Sequence, residues 1–385
     1  MVLKQDVCAV CASSDWAPLP TPGAASLTTA GFSVPDKLGK GQCRRCGNVQ
    51  KVFAPRLADT DFYEENYTYY DRVGAATLDE KRYRALAEWV AAASTSRAPA
   101  RILDVGCGQG ATLRFLKEAF PDAEMVGLEP SKDAVEKAKA QGLDVHLGRL
   151  ADFDETKIGR FDLVFSNNVL QHTTDAVEFI ALQKRFLKDD GEIVLSCPDG
   201  SNPNIELLMA DQNFSIRPRH LEAVAAHAGM AAVRTLPCPG GPLNNEQLVV
   251  LRPDADAKAP ALPDRQTVTA EFDEMVSYLE QWKALDDRIC AAVADARTVY
   301  NFGGGLWSYA LAVYCPAYWS KVKVCLVDRF SGKCRDKEVR PFEDVPVTGE
   351  DALVLGTNPY VQSVLVERFE RDGLKVVAFS DIIPH

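Results

Sequence analysis

The chain has 385 residues, too many for one ordinary domain, so two or three are expected. A hydrophobic share of 46% and a charged share of 25% describe a soluble globular protein, and no apolar run approaches the length of a membrane span. The net charge of −11 argues against nucleic acid as the main partner, and the start Met1-Val2-Leu3-Lys4-Gln5-Asp6 lacks a signal-peptide core, so a cytoplasmic location is expected.

Residues 1–58 carry Cys8-x-x-Cys11 and Cys43-x-x-Cys46-Gly47. Two such knuckles place four sulfurs at the corners of a tetrahedron, which suits Zn²⁺. Four thiolates leave no open coordination position, so the expected metal is structural rather than catalytic. The segment between the knuckles is rich in Pro, Gly, Thr and Ser and can build little core, so a metal clip would supply stability that burial cannot. The formal charge of this region is +4, or +2 with a tetrathiolate zinc, which reads as a solvated face. The other seven cysteines, Cys107, Cys197, Cys238, Cys290, Cys315, Cys325 and Cys334, stand singly and are expected to be buried and reduced.

The aromatic stretch Phe62 to Asp71, which includes Tyr67, can line a ligand site or pack the zinc unit against the next domain. A helix with Tyr83, Leu86, Trp89 and Val90 on one face follows. Strands are predicted at Arg101–Val105, Met125–Glu129, Asp144–Leu147, Phe161–Ser166, Glu192–Cys197, Ala232–Leu236 and Gln247–Leu251. Helices are predicted between them at Ala111–Ala119, Asp133–Ala140, Ala176–Leu187 and Pro218–Ala228. The alternation implies an α/β domain with a parallel sheet wound on both faces. The segment between the last two strands is too short for a crossover helix, so they should pair antiparallel.

Leu103-Asp104-Val105-Gly106-Cys107-Gly108-Gln109-Gly110 is a strand, a glycine turn and a helix start. Such a turn lets the backbone approach a ligand, and the helix N-terminus behind it offers unpaired N–H groups. Glu129, at the tip of the next strand, is placed to accept hydrogen bonds from ribose hydroxyls. In order and spacing, D-V-G-C-G-x-G, then G-L-E-P-S, then Phe161-Asp162-Leu163-Val164 resemble the class I S-adenosylmethionine-dependent methyltransferases over roughly residues 75–252. The resemblance implies a seven-stranded Rossmann-like sheet with a reversed last strand. It also implies cofactor contacts from Asp104, Gly106, Gly108, Gly110, Glu129, Leu150, Asn167 and Tyr67.

A polar, proline-bearing linker spans 253–268, and a helix with one apolar face runs from Phe272 to Val293. Residues 297–385 restart the strand–glycine–helix pattern at Gly303-Gly304-Gly305-Leu306-Trp307-Ser308. This reads as a smaller Rossmann-like unit whose loop either binds a ligand or is a retained scaffold. The expected divisions are therefore a zinc-binding domain with aromatic connector over 1–74, a methyltransferase domain over 75–252, a linker and long helix over 253–296, and a C-terminal domain over 297–385.

This order of parts resembles the sugar C-methyltransferases, which act on nucleotide-linked deoxysugars. The resemblance implies a small-molecule acceptor, probed from the cleft between the central and C-terminal domains, with Gly303 to Ser308 helping to form the nucleotide-sugar pocket. That family carries a Tyr-x-Glu-His-like cluster after the fifth strand; here the stretch is Met209-Ala210-Asp211-Gln212, with Asp211 for the Glu and Gln212 where the His would be. Glutamine cannot take a proton, so methylation of oxygen or nitrogen stands as the alternative to carbon. Candidate bases are His172, Asp199 and Asp211, with His172 first because imidazole titrates near neutrality. His220 is expected to face solvent, and His146 and His227 show no chemical partner in the sequence. A nicotinamide oxidoreductase is disfavoured by the missing third glycine of its fingerprint, and a nucleic-acid-modifying enzyme by the charge.

Overall fold

A computed structural model describes residues 5–35, 38–56 and 76–383. The N-terminal unit has five short strands, β1 (Trp16–Pro18), β2 (Ser26–Leu27), β3 (Ser33–Val34), β4 (Lys40–Cys43) and β5 (Val49–Lys51). β2 and β3 form a small hairpin, while β4 pairs antiparallel with both β1 and β5. Cys8, Cys43 and Cys46 are buried where the unit meets the central domain.

The central domain begins with α1 (Ala76–Ala93), then β6 (Arg101–Val105), α2 (Ala111–Ala119), β7 (Glu124–Glu129), α3 (Lys132–Ala140) and β8 (Val145–Leu147). It continues through the short α4 (Glu155–Ile158), β9 (Phe161–Asn167), α5 (Ala176–Arg185), β10 (Leu187–Pro198), β11 (Phe214–Ser215), α6 (Pro218–His227), β12 (Met230–Leu236) and β13 (Glu246–Pro253). Seven of these strands form one sheet in the order β12-β13-β10-β9-β6-β7-β8. β13 is antiparallel to both its neighbours, and the other pairs are parallel. Alternate residues of each strand serve opposite faces, as the pleat requires. Ile102, Leu163, Phe165 and Val194 pack with Leu86 and Val90 of α1 and Phe115 and Leu116 of α2. Leu103, Val164, Ile193 and Leu195 pack with Phe179 and Ile180 of α5 and Leu221 and Val224 of α6.

The boundaries between α5 and β10 differ from expectation. The helix expected over Ala176–Leu187 stops at Arg185, and the strand expected from Glu192 begins at Leu187. Phe186 closes the helix through its N–H to Gln183 and Lys184 carbonyls, and the β9–β10 register shifts between Leu187 and Glu192, which makes room for the Lys188–Gly191 corner. β11 has no counterpart in the sequence reading, because two residues cannot show a period. It pairs with β5, so residues 214–215, inside the expected central division, complete the sheet of the N-terminal unit.

The long α7 (Arg265–Ala292) starts earlier than expected because the Asp264 carboxylate accepts from Thr267 N–H at 2.7 Å and caps it. Its buried face of Met275, Leu279, Trp282, Leu285 and Ile289 packs on the C-terminal unit. That unit comprises β14 (Val299–Phe302), α8 (Leu306–Tyr314), α9 (Pro316–Lys321), β15 (Val322–Val327), β16 (Gly332–Cys334), β17 (Lys337–Pro341), β18 (Ala352–Leu355), α10 (Pro359–Arg371) and β19 (Lys375–Ala378). Its six-stranded sheet runs β16-β17-β15-β14-β18-β19, parallel except for the β16–β17 pair. No helix among the described residues is long and apolar enough to cross a membrane.

Candidate active site

The carboxyl ends of β6, β7 and β9 meet at one edge of the central sheet. At the end of β6 the backbone turns through Gly106, φ 75°, where a side chain would bring its Cβ within 2.5 Å of Val169. Gly110, φ 78°, precedes α2 and lies against Leu143 in the same way, at 2.2 Å. Glu129, at the end of β7, closes this loop. One carboxylate oxygen accepts from Gly108 N–H at 2.9 Å and the other from Ser131 N–H at 2.8 Å. Burial raises its pKa, and these two N–H groups oppose the rise. The carboxylate thus holds the glycine turn against the start of α3 while keeping further lone pairs on each oxygen.

Asp104, one residue before the end of β6, is more tightly enclosed. Burial, and then the charge of Glu129, push its pKa up to about 8. Its Oδ2 accepts no hydrogen bond from the described residues, nor does Oδ1 of Asn167 at the end of β9. Two buried acceptors beside the glycine turn suit a ligand that brings donors or positive charge, as the ammonium and sulfonium of S-adenosylmethionine do. Leu150 is buried in a single 3-10 turn, Leu150–Asp152, within the apolar cluster that includes Phe179. Tyr67 and the aromatic stretch around it lie outside the described residues.

The acceptor edge is built from two chain segments. His172 ends the turn Leu170–His172 that follows β9. Its Nδ1 lies 2.9 Å from the main-chain oxygen of Asp211 and 3.8 Å from the Asp211 carboxylate. A carbonyl only accepts, so Nδ1 carries a hydrogen, and in the neutral ring Nε2 has the lone pair. Asp211 is fully buried and is held by Thr29, whose N–H donates to Oδ1 at 2.9 Å and whose hydroxyl donates to Oδ2. Asp199 is placed differently: its Oδ1 accepts from Ser201 N–H at 2.8 Å and its N–H donates to Asn245 O, which makes it a turn former after β10. Gln212 is buried beside Asp211, and its Oε1 receives no donor from the described residues.

The N-terminal unit clamps the segment that carries Asp211. Ala210 N–H donates to Leu27 O at 2.7 Å, Lys51 N–H to Asn213 O at 2.8 Å, and Lys51 Nζ to Ala210 O at 2.8 Å. Lys40 Nζ donates to Glu206 O at 2.5 Å; burial depresses its pKa to about 7, opposed mainly by the Glu206 carboxylate. Asn213 ties the two segments together, with its side-chain amide on His172 O and Thr173 O, both at 3.1 Å. Thr29, Lys40 and Lys51 were not legible as site residues, because the C-x-x-C motif near Lys40 and Lys51 signals a metal and no spacing links the three to residues 206–213.

Two histidines differ from expectation. His220 is buried, not solvent-facing, with Nε2 2.9 Å from Cys46 O, and burial drives its pKa down to about 3. His227 has a partner after all, Val10 O at 2.8 Å. Both stand on α6, two turns apart, and dock it on the knuckles. His146 lies 3.4 Å from the Asp144 carboxylate on the surface.

The sulfurs of Cys8, Cys11, Cys43 and Cys46 all lie within 4.8 Å of one another, with Cys8–Cys46 and Cys11–Cys43 at 3.5 Å. A tetrahedron of metal–sulfur bonds of about 2.3 Å has edges of about 3.8 Å, so the donor set fits. Their crowding, with Cys11 the foremost neighbour, holds the Cys8 and Cys46 thiols up and the Cys43 thiol down. Held as four thiolates, the set would need a cation among them. In the C-terminal unit, Ser308 donates to Gly356 O at 2.8 Å, and Asn301 donates to Gly303 O and Ser308 Oγ at 2.8 and 2.9 Å. Ser308 therefore ties the glycine turn to the end of β18. The other seven cysteines are free thiols, buried except for the half-buried Cys238 and Cys290.

A sheet of this order, with a glycine turn after the first strand and an acid at the tip of the second, is the arrangement expected of a Rossmann-like methyltransferase. Residues 103–193 match the family described as "Methyltransferase domain", and they form a methyltransferase domain of the S-adenosylmethionine-dependent kind. An uncharacterized 37.1 kDa protein in transposon TN4556 of Streptomyces fradiae is 26% identical over 231 residues, 55% of this chain and 63% of that protein. The malonyl-[acyl-carrier protein] O-methyltransferase of Anoxybacillus flavithermus is 29% identical over 150 residues, 38% of this chain and 55% of that protein. The chain thus spans under two-thirds of the length of these curated relatives. Among solved structures, the mitomycin 7-O-methyltransferase MmcR covers 47% of this chain and 55% of its own at 22% identity and a TM-score of 0.38.

Proposed function

We propose that the whole chain transfers a methyl group from S-adenosylmethionine to a small polar acceptor, a sugar or nucleotide-linked sugar, with His172 as proton acceptor. The observation that carries this reading is the seat of His172: at the carboxyl edge of the sheet, with Nδ1 on Asp211 O at 2.9 Å and the Asp211 carboxylate at 3.8 Å. The bound cofactor supplies an electrophilic methyl group. The chain's task is to hold the acceptor in line, exclude water and receive the proton. Asp211, gripped by Thr29, fixes the ring and stabilises the imidazolium once Nε2 has taken that proton. Gly106, Gly108 and Gly110 form the cofactor turn, Glu129 accepts from the ribose, and Asp104 and Asn167 face the amino-acid end. Cys8, Cys11, Cys43 and Cys46 hold a structural Zn²⁺.

Solvent deuterium exchange tests both the base and the acceptor atom. With the acceptor present and no methyl donor, a carbon acid exchanges its α-hydrogen in the wild type, and His172→Ala stops it. Exchange that persists in the variant removes His172 from the role. The acceptor itself is sought by thermal shift of the S-adenosylhomocysteine complex across a panel of nucleotide sugars, where a hit raises the transition by linkage.

A second reading, methylation of oxygen or nitrogen, is favoured by Gln212, which stands where the sugar C-methyltransferases have a histidine. The malonyl-[acyl-carrier protein] O-methyltransferase among the relatives fits it as well. No exchange occurs in that case, even in the wild type.

A further inference from the structure

We propose that the side-chain relay Glu246–Asn168–Gln171 is a subsite for hydroxyl groups of the acceptor; it rests on the small-acceptor reading above. Glu246 is the first residue of β13 and pairs across the sheet with Pro198, while Asn167 pairs with Ser196. Glu246 therefore stands at the same edge as the cofactor turn. Asn168 follows in the left-handed region, φ 55°, and Val169 packs directly on Gly106.

The polarity of the relay is fixed at one end. Glu246 Oε1 accepts from Arg82 Nη2 at 2.7 Å and from Asn168 Nδ2 at 3.0 Å. A carboxylate only accepts, so the Asn168 amide is oriented with its nitrogen inward and its Oδ1 away. That Oδ1 accepts from Gln171 Nε2 at 3.3 Å, which in turn fixes the Gln171 amide. The outcome is an acceptor at each end of the relay. Among the described residues no donor reaches Gln171 Oε1 or Glu246 Oε2, although the two residues are only 4% and 6% exposed. Buried acceptors left in this state cost stability, and a site built so is complementary to a ligand that brings donors. Arg82 already balances the Glu246 charge. A neutral hydroxyl therefore fits better than an ammonium, whose charge would be opposed by the guanidinium. Two separated acceptors match a polyol rather than a single alcohol.

The test is calorimetry on the full chain saturated with S-adenosylhomocysteine, with UDP-glucose as probe and UDP as control. The wild type should bind UDP-glucose at least about 10-fold more tightly than UDP. Gln171→Met and Glu246→Gln should each reduce that ratio to about 2-fold or less, with UDP affinity unchanged. A ratio kept in both variants, or a wild type that does not prefer UDP-glucose to UDP, overturns the subsite and leaves the nucleotide reading intact. If neither compound binds, the nucleotide-sugar reading falls, and sorbitol, a polyol without a nucleotide, decides the subsite in the same calorimetry. The wild type should bind it, and Gln171→Met and Glu246→Gln should each weaken it at least about 5-fold. No binding of sorbitol, or equal binding in both variants, overturns the proposal.

Discussion

A carboxyl group taken out of water keeps its proton, and Asp104 is enclosed enough for burial, then Glu129, to push its pKa up to about 8. A cationic ligand end binds the ionised form, so binding should release a proton, and cofactor affinity should rise with pH until it levels off near that value. Calorimetry in buffers of different ionisation enthalpy checks this, and Asp104→Asn should abolish the trend. Thr29 acts through its neighbour. Thr29→Val removes the hydroxyl donor to the Asp211 carboxylate, and turnover should fall about 10-fold with cofactor binding unchanged, whereas Thr29→Ser should keep the wild-type rate. His172→Ala should cost about 10²–10⁴-fold in turnover. The Thr29→Val loss should vanish in that background, because the two groups act as one unit.

The docking of α6 shows how one helix ties the central domain to the knuckles. His220 and His227 both reach backbone carbonyls of the N-terminal unit, and Arg217 and Arg219, just before and within α6, meet Glu271 of α7 at 3.3 and 2.6 Å. His220 titrates at 6.5 when unfolded, but burial first, then Arg219, holds it down to about 3 when folded. Between these values the unfolded chain binds a proton that the folded chain does not. Stability should therefore fall as pH drops below about 6.5, by up to about 1.4 kcal/mol per pH unit. His220→Gln keeps a donor for Cys46 O and does not titrate, so its acid limb in thermal unfolding should be shallower. An identical slope would remove His220 as the source.

At the scale of the molecule, the three parts of the chain meet at one segment. Residues 205–215 leave the central domain, pass Asp211 to His172, and join the N-terminal sheet as β11. Tyr314 of the C-terminal unit donates to Leu208 O at 2.5 Å and accepts from Leu27 N–H at 3.2 Å, so all three parts meet there. Removal of the metal by a chelator, or Cys43→Ser, should release one metal ion per chain and loosen the knuckles. It should also lower turnover, because β2, β5 and Thr29 then lose their anchor, while the cofactor affinity set by β6 and β7 remains. Metal analysis beside turnover and calorimetry on the same sample separates these effects; turnover unchanged in a metal-free sample would detach the knuckles from the site.

The sequence by itself determined what is local. The glycine turn after β6 follows from backbone sterics and Glu129 from strand length, and the C-x-x-C knuckles place their own sulfurs, because each of these needs only a short stretch of chain. The alternation of apolar strands and amphipathic helices gave the central sheet, and the short β12–β13 link forced the reversed strand. Tertiary structure alone decided the rest. Thr29 reaches Asp211 across 182 positions, Arg82 reaches Glu246 across 164, and His220 reaches Cys46 across 174. None of these pairs has a period or a spacing to read. Each exists because buried polar groups must find partners, and which partner is at hand depends on how distant segments pack.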